Sequence, residues 1–283
     1  MGEKLNTVFS SFKKYHDFLV CIDSDGCAID SMEIKHKNYF APEAIRVWSL
    51  QEIERSFIDK WCLVNLYSQT RGINRFKGLV KTMDLLSQEG FKVPDLNPVR
   101  KWIEKSEELS NSSLEKEISK VTNNKQLKNT LNWSYKVNEK IANITNKTKS
   151  FPWVKETLQQ IDSYADVVVV SSANKEALLK EWSNNDLHSY IQLFLSQEAG
   201  SKAYCINALK CLGYSKDNIL MIGDSLGDLK AAEENEVLFY PIIAQKESTS
   251  WKGLLNRYIS LFFKNDLKTH QQKIIEEFTK TLN

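Results

Sequence analysis

The chain has 283 residues, 42% apolar and 26% charged, a length and balance that exclude a disulfide-stapled mini-protein, a collagenous repeat and a disordered segment. Its 38 Lys/Arg stand against 36 Asp/Glu, and a net charge of +2 supplies no overall field for nucleic acid or a membrane surface. Five scattered cysteines (Cys21, Cys27, Cys62, Cys205, Cys211) with no CxxC pair, and an N-terminus with no apolar run of leader length, predict a reducing, cytoplasmic setting without nucleic-acid or membrane partners.

The first predicted strand, 18–22, is an apolar run that stops at Asp23-Ser24-Asp25-Gly26, as a strand buried on both faces does on leaving a parallel sheet. From about 32 to 150 the pattern turns helical. Ile45, Trp48, Ile53, Phe57, Trp61 and Val64 recur at three- and four-residue steps, and helices are expected over about 77–88, 99–120 and 126–145, punctuated by Pro94, Pro98 and Asn123-Asn124. A stretch this long exceeds one crossover and reads as an inserted helical domain. It holds 21 Lys/Arg and 14 Asp/Glu, a net +7 that leaves −5 for the rest of the chain. That charge is either a solvated lysine-rich surface or a lid that attracts an anionic substrate.

After the insert the strand signal returns. Val167 to Val170 run into Ser171-Ser172-Ala173-Asn174 and a helix from Lys175 to Trp182; 191–195 is a fourth strand; Ile219 to Ile222 run into Gly223-Asp224-Ser225 and a helix from Leu229 to Asn235; 237–240 is a fifth. Strands alternating with helices predict an α/β fold, a doubly wound, Rossmann-like parallel sheet, with ligands at the carboxyl ends of the strands. The core domain is then 1–31 with 151–283 and the inserted α-helical domain is 32–150. The tail from Ser250 is helical in pattern and is expected to pack on the core.

Asp23 and Asp25, one residue apart at a strand end, can share a site, and like charges so close call for a cation or a proton between them. Taken alone, Asp-x-Asp-Gly is equally a turn. Asp224 and Asp228 add two more carboxylates at another strand end, and oxygen donors without His or Cys favour a hard ion such as Mg²⁺. Ser171 and Ser172 offer hydroxyl and backbone N–H groups at a helix start, suited to phosphate oxygens, and Lys202 offers a point positive charge.

This ordered set resembles the haloacid dehalogenase-like hydrolases. Their first motif, DxDGT with a following Asp, resembles Asp23-Ser24-Asp25-Gly26-Cys27-Ala28-Ile29-Asp30; their second is matched by Ser171, with Phe151-Pro152-Trp153-Val154 similar to the entry into that unit; their third by Lys202; their fourth, GDSxxD, by Gly223, Asp224, Ser225 and Asp228. The resemblance implies a phosphoric monoester hydrolase with Asp23 as nucleophile through an aspartyl-phosphate and Asp25 as general acid and base. It also implies Mg²⁺ on Asp23, Asp224 and the Asp25 backbone carbonyl, Ser171 and Lys202 on the phosphoryl oxygens, and Asp228 orienting Lys202 or a metal-bound water. The insert resembles the helical C1 cap that selects the substrate, here a small phosphorylated metabolite. Cys27 departs from the usual Thr and is expected to be buried and inert. A phosphomutase, and a non-catalytic binding protein on the same fold, are the alternatives.

Within the insert, Arg71 and Arg75 flank Gly72 and form a candidate anion-binding loop, set against a surface turn with solvated arginines. His36 is a candidate site residue or a helix-surface histidine. Trp48, Trp61, Trp102 and Trp133 read as interhelical packing rather than a base-stacking platform.

Overall fold

In the computed structural model, described over residues 8–10, 12–106, 108–121, 124–143 and 148–282, the chain divides into a discontinuous unit, Met1–Ser31 with Asn146–Asn283, and a second unit, Met32–Thr145. Asn123 and residues 144–145, where boundaries of helical segments were expected, lie outside the described residues.

In chain order the strands of the discontinuous unit are β1 (Phe18–Ile22), β2 (Ile29–Asp30), β3 (Lys149–Ser150), β4 (Ala165–Val170), β5 (Leu193–Leu195), β6 (Ile219–Gly223) and β7 (Leu238–Pro241). Five of them form one parallel sheet ordered β5-β4-β1-β6-β7, while β2 and β3 make a small antiparallel pair. The pair corrects the expected boundary at 150: Lys149 and Ser150 join β2 and belong to the core unit.

The unbroken apolar strands have a simple cause, since the sheet is covered on both faces. Val20, Ile22, Val167, Val169, Leu220 and Ile222 enter one apolar cluster with Leu158, Trp182, Trp251, Leu254 and Phe262. Leu19, Cys21, Val168, Val170, Ile219 and Met221 enter another with Ile206, Leu229 and Phe278. The tail therefore packs on the core, as its periodicity predicts. Its helices Glu247–Gly253 and Ile259–Phe263 feed the first cluster, and Gln271–Lys280 feeds both, through Ile274 and Phe278.

Strand ends moved where neighbours overrode the apolar pattern. β4 begins two residues before the valine run because Asp166 is buried and hydrogen-bonded, accepting from the backbone N–H groups of Tyr15 (2.9 Å) and His16 (3.1 Å), from Gln192 Nε2 (2.7 Å) and from the Tyr214 hydroxyl. Trp153, at the position where a glycine is common in such a turn, takes φ 74°.

The regular elements among the described residues of the second unit are all helical. Helices Ala41–Trp48, Glu54–Asn65, Arg75–Gln88, Asn97–Lys105, Asn111–Lys120 and Lys125–Ala142 surround an aromatic core. The single helix expected over 99–120 is two, the second opening on Ser110, whose side chain accepts from the Ser113 N–H. Trp133 sits among Phe40, Trp48, Trp61 and Phe76, with ring centroids 5.9–6.3 Å apart, and its indole N–H donates to the Phe40 carbonyl at 3.1 Å. Buried Glu43 accepts from Arg46 and, at 2.6 Å, from Lys140, tying the first of these helices to the last. Among the described residues no helix is long and apolar enough to cross a membrane.

Candidate active site

β1 is the middle strand, and its register sets Ile22 beside Val169 of β4 and Ile222 of β6. The residues that follow these three strands, Asp23, Ser171 and Asp224, therefore emerge at the same edge of the sheet, where the strand order switches from β4 and β5 on one side to β6 and β7 on the other.

The turn after β1 is locked by its own backbone. The Ser24 carbonyl accepts from the N–H groups of Cys27, Ala28 and Ile29 at 3.3, 3.0 and 2.9 Å, and the Asp23 N–H donates to Ile222 at 2.9 Å. Gly26 has φ 76°, the left-handed conformation that this Asp-x-Asp-Gly turn requires. Asp23 is buried, and its Oδ1 accepts from the Ser24 N–H at 2.8 Å.

Asp23, Asp224 and Asp228 are all buried and bring carboxylate oxygens within 4.8 Å of one another. Lys202 Nζ faces this cluster, 2.8 Å from Asp23 Oδ2 and 2.5 Å from Asp228 Oδ1. Burial pushes the Asp23 carboxyl well above the usual range and Lys202 pulls it back, while Asp228 and Asp224 add to the rise. For Lys202 burial works against the charge, but Asp228 and Asp23 outweigh it and hold the ammonium protonated above its ordinary range. Three buried carboxylates this close together repel one another, and their electrostatics suit a cation.

Asp228 is fully engaged. While Oδ1 takes Lys202, Oδ2 accepts from the Ser225 N–H (3.1 Å) and hydroxyl (2.7 Å), and Ser225 in turn caps the Asp228 N–H, a reciprocal box opening helix Leu226–Glu234. Gly223 permits this, because a Cβ there would lie 2.3 Å from the Asp228 Cβ. The serine and lysine come from similar local devices. Ser171 is buried, its N–H donates to Leu195 at 2.8 Å, and its Oγ accepts from the Ala173 N–H at 3.1 Å, so the hydroxyl hydrogen remains for an acceptor. Ser172 beside it is exposed. Lys202 opens helix Lys202–Lys210 behind the cap Ser201.

The arrangement differs from the sequence expectation at several residues. Asp25 does not join the carboxylate cluster through its side chain: half-buried, its Oδ1 accepts from the Ser31 hydroxyl, and the carboxyl that completes the group is Asp228. Alternation along an extended strand put Asp23 and Asp25 together, but the chain has already turned at Ser24. Arg71 and Arg75 are not solvated turn arginines. Arg71 is 5% exposed and donates to the Leu66 carbonyl at 2.9 Å; Arg75 donates to Asn138 at 2.6 Å and Ser134 at 3.2 Å, its guanidinium 5.0 Å from the Phe40 ring centroid. His36 opens the helical segment His36–Phe40 and is half-buried: its Nδ1 accepts from the Trp61 indole at 3.0 Å and its ring stacks on Phe40. Cys27 is buried, its thiol pushed up by burial and by the charges of Asp224 and Asp23, which disfavours the reactive thiolate.

Sequence reasoning missed Ser31, which holds the Asp25 carboxyl, and the indoles of Trp182 and Trp251, which reach the same turn. For the two tryptophans the sequence offers no signal.

A family model described as haloacid dehalogenase-like hydrolase matches residues 73–241. No curated protein matches the chain. Among solved structures, a predicted phosphoglycolate phosphatase from Haemophilus somnus is 14% identical, with a TM-score of 0.50 over 81% of this chain and 87% of its own, and shares the fold. A haloacid dehalogenase-like protein of unknown function from Agrobacterium tumefaciens is also 14% identical, with a TM-score of 0.49 over 83% of this chain and 88% of its own. With four motifs in order on one sheet edge and a family match spanning more than half of its length, the chain belongs to the haloacid dehalogenase-like hydrolases.

Proposed function

We propose that the protein is a phosphatase that hydrolyses a small phosphorylated metabolite through an aspartyl-phosphate on Asp23. The observation that carries this reading is Lys202 bridging the buried Asp23 and Asp228 beside Asp224, a carboxylate nucleophile held next to a cation that can exchange it for a phosphoryl oxygen. Asp23 attacks phosphorus while the bond to the leaving oxygen breaks, and Asp25 gives that oxygen its proton. Asp25 then takes a proton from water, which attacks the aspartyl-phosphate, releases inorganic phosphate and restores Asp23. Ser171, with the neighbouring N–H groups at Ser172, and Lys202 hold the phosphoryl oxygens, and Asp228 positions Lys202.

The donor set fits a hard divalent cation such as Mg²⁺, since the oxygens are carboxylates, buried and close together. Asp23 and Asp224, with the Asp25 main-chain carbonyl, would hold it. Asp228 would not, because both of its oxygens are engaged. The ion would neutralise charge, so that a carboxylate can approach an anionic phosphoryl group.

Substrate selection is assigned to the helical unit, Met32–Thr145, with Arg71 and Arg75 as its candidate contacts. A screen of the purified protein against phosphorylated metabolites, with Mg²⁺ and with excess chelator, tests the reading. Metal-dependent release of inorganic phosphate is expected; isomerised sugar phosphate without phosphate release would identify a mutase, and silence on every ester would return the chain to a binding role.

A further inference from the structure

Two buried tryptophans spend their indole N–H groups on the turn that carries the candidate nucleophile. Trp182 Nε1 donates to Ser24 Oγ at 2.9 Å and Trp251 Nε1 donates to the Cys27 carbonyl at 2.8 Å. Both rings are wholly buried, and both lie in the apolar cluster that contains Cys27, Ala28 and Ile29. Apolar packing alone asks for no particular direction of the N–H; here each one ends on an acceptor inside the same five-residue turn.

The two come from different parts of the chain. Trp182 is on helix Lys175–Asn184, which begins directly after the Ser171–Asn174 loop, so one hydrogen bond sets the nucleophile turn relative to the helix that carries the candidate phosphate-binding serines. Trp251 is on Glu247–Gly253, beyond residue 241 where the family match ends. That helix is itself anchored. The Tyr240 hydroxyl donates to the Ser250 carbonyl at 2.8 Å and the Ile243 N–H to Ser250 Oγ at 3.1 Å. The acceptors matter as much as the donors. The Ser24 N–H binds Asp23 Oδ1, and Ser24 lies between the two aspartates, so a displacement of Ser24 moves Asp23 Oδ1 directly. Cys27 closes the turn onto the Ser24 carbonyl and reaches the Ile222 carbonyl of β6 through its sulfur at 3.6 Å.

We propose that Trp182 and Trp251 are positioning residues for the reaction. Their indole N–H groups hold the Asp23–Cys27 turn in the geometry for attack, and the C-terminal extension, through Trp251, is a working part of the active-site scaffold. The consequence for turnover rests on the phosphatase reading above; the consequence for the turn does not. Misplacing a nucleophile costs rate rather than affinity, because remote substrate contacts are unchanged while the near-attack geometry is lost.

Trp182→Phe and Trp251→Phe delete the N–H and keep an aromatic ring. Each should lower kcat about tenfold, the factor set by about 1.4 kcal/mol of lost positioning, with KM within about twofold of wild type. Ser24→Ala removes the acceptor without touching a tryptophan, and the cost of Trp182→Phe in that background should shrink to about twofold or less if the two groups act as a pair. Amide hydrogen exchange is read on the same proteins and needs no substrate. Faster exchange confined to Cys27, Ala28 and Ile29, with the β1, β4 and β6 amides unchanged, is expected, whereas a merely structural role would raise exchange across the whole unit. A wild-type protein silent on every phosphate ester would overturn the phosphatase reading alone, and the exchange pattern would still decide this proposal. Turn amides that exchange as in wild type, or folded variants with unchanged kcat from an active parent, overturn it.

Discussion

On the proposed reading Asp228 acts without touching a substrate. Its oxygens are divided between Ser225 and Lys202, so it fixes where the lysine stands, and Lys202 fixes the charge beside Asp23. Gly223 is the hidden member of this group, since the 2.3 Å that would separate a Cβ from the Asp228 Cβ is far inside any real contact. Gly223→Ala should therefore displace Asp228 and lower kcat by more than about tenfold, in keeping with the loss of a charge-assisted hydrogen bond inside a buried site. Steady-state kinetics on a protein that retains its circular dichroism checks this; full activity in Gly223→Ala would detach Asp228 from Lys202's role. Asp23, Asp224, Lys202 and Ser171 were legible in the sequence because each follows an apolar strand. The alternation that set the Asp25 side chain beside Asp23 was carried three residues past Ile22, where β1 ends, into a turn.

At the scale of elements, the sheet's other edge carries its own polar lock. Burial alone would raise the Asp166 carboxyl, but hydrogen bonds from Tyr214, from the His16 and Tyr15 backbone and from Gln192 outweigh it and hold its pKa below the ordinary 3.8. A depressed folded-state value contributes stability that is present above the unfolded-state pKa and is lost as pH falls through the folded one. Asp166→Asn should thus be less stable at neutral pH and show a shallower loss on acidification than wild type, read by urea unfolding from pH 7 to pH 3; parallel curves would deny the lock. In the helical unit, Arg71 and Arg75 already bind their own neighbours, so an Ala variant at either costs packing whatever its other role. A ratio removes that ambiguity. The proposed substrate role predicts that each variant loses at least about fivefold more kcat/KM on the true metabolite than on p-nitrophenyl phosphate, since a reduced folded fraction cancels between substrates. Equal losses would confine both arginines to structure. Apolar runs and helical periodicity made the five-stranded sheet and the insert readable, whereas the β2–β3 pair and the break between Lys105 and Asn111 were not. Two-residue strands have no period to detect, and the break depends on a serine cap within a run of otherwise helical spacing.

For the whole molecule, charge and metal are the quantities that act together. The insert's net +7 against −5 elsewhere was visible in the sequence, but what it attracts was not, because lysine counts do not say which amines are paired. The buried carboxylate cluster makes a sharper claim: a cation that binds the folded chain alone must stabilise it, by about 2.7 kcal/mol at a hundredfold excess over its Kd. Mg²⁺ should raise the Tm of the wild type by several degrees and leave Asp224→Ala nearly unmoved; equal shifts would place the ion elsewhere. The central claim is that Asp23 takes the phosphoryl group, and it can be read directly. Asp25→Asn, which keeps the nucleophile and loses the acid and base, is mixed with Mg²⁺ and a turnover substrate, quenched in acid, reduced with borohydride and mapped by mass spectrometry. The account predicts reduction of the acyl-phosphate at residue 23 alone, absent from Asp23→Asn; modification at another carboxylate, or turnover by Asp23→Asn, would contradict it.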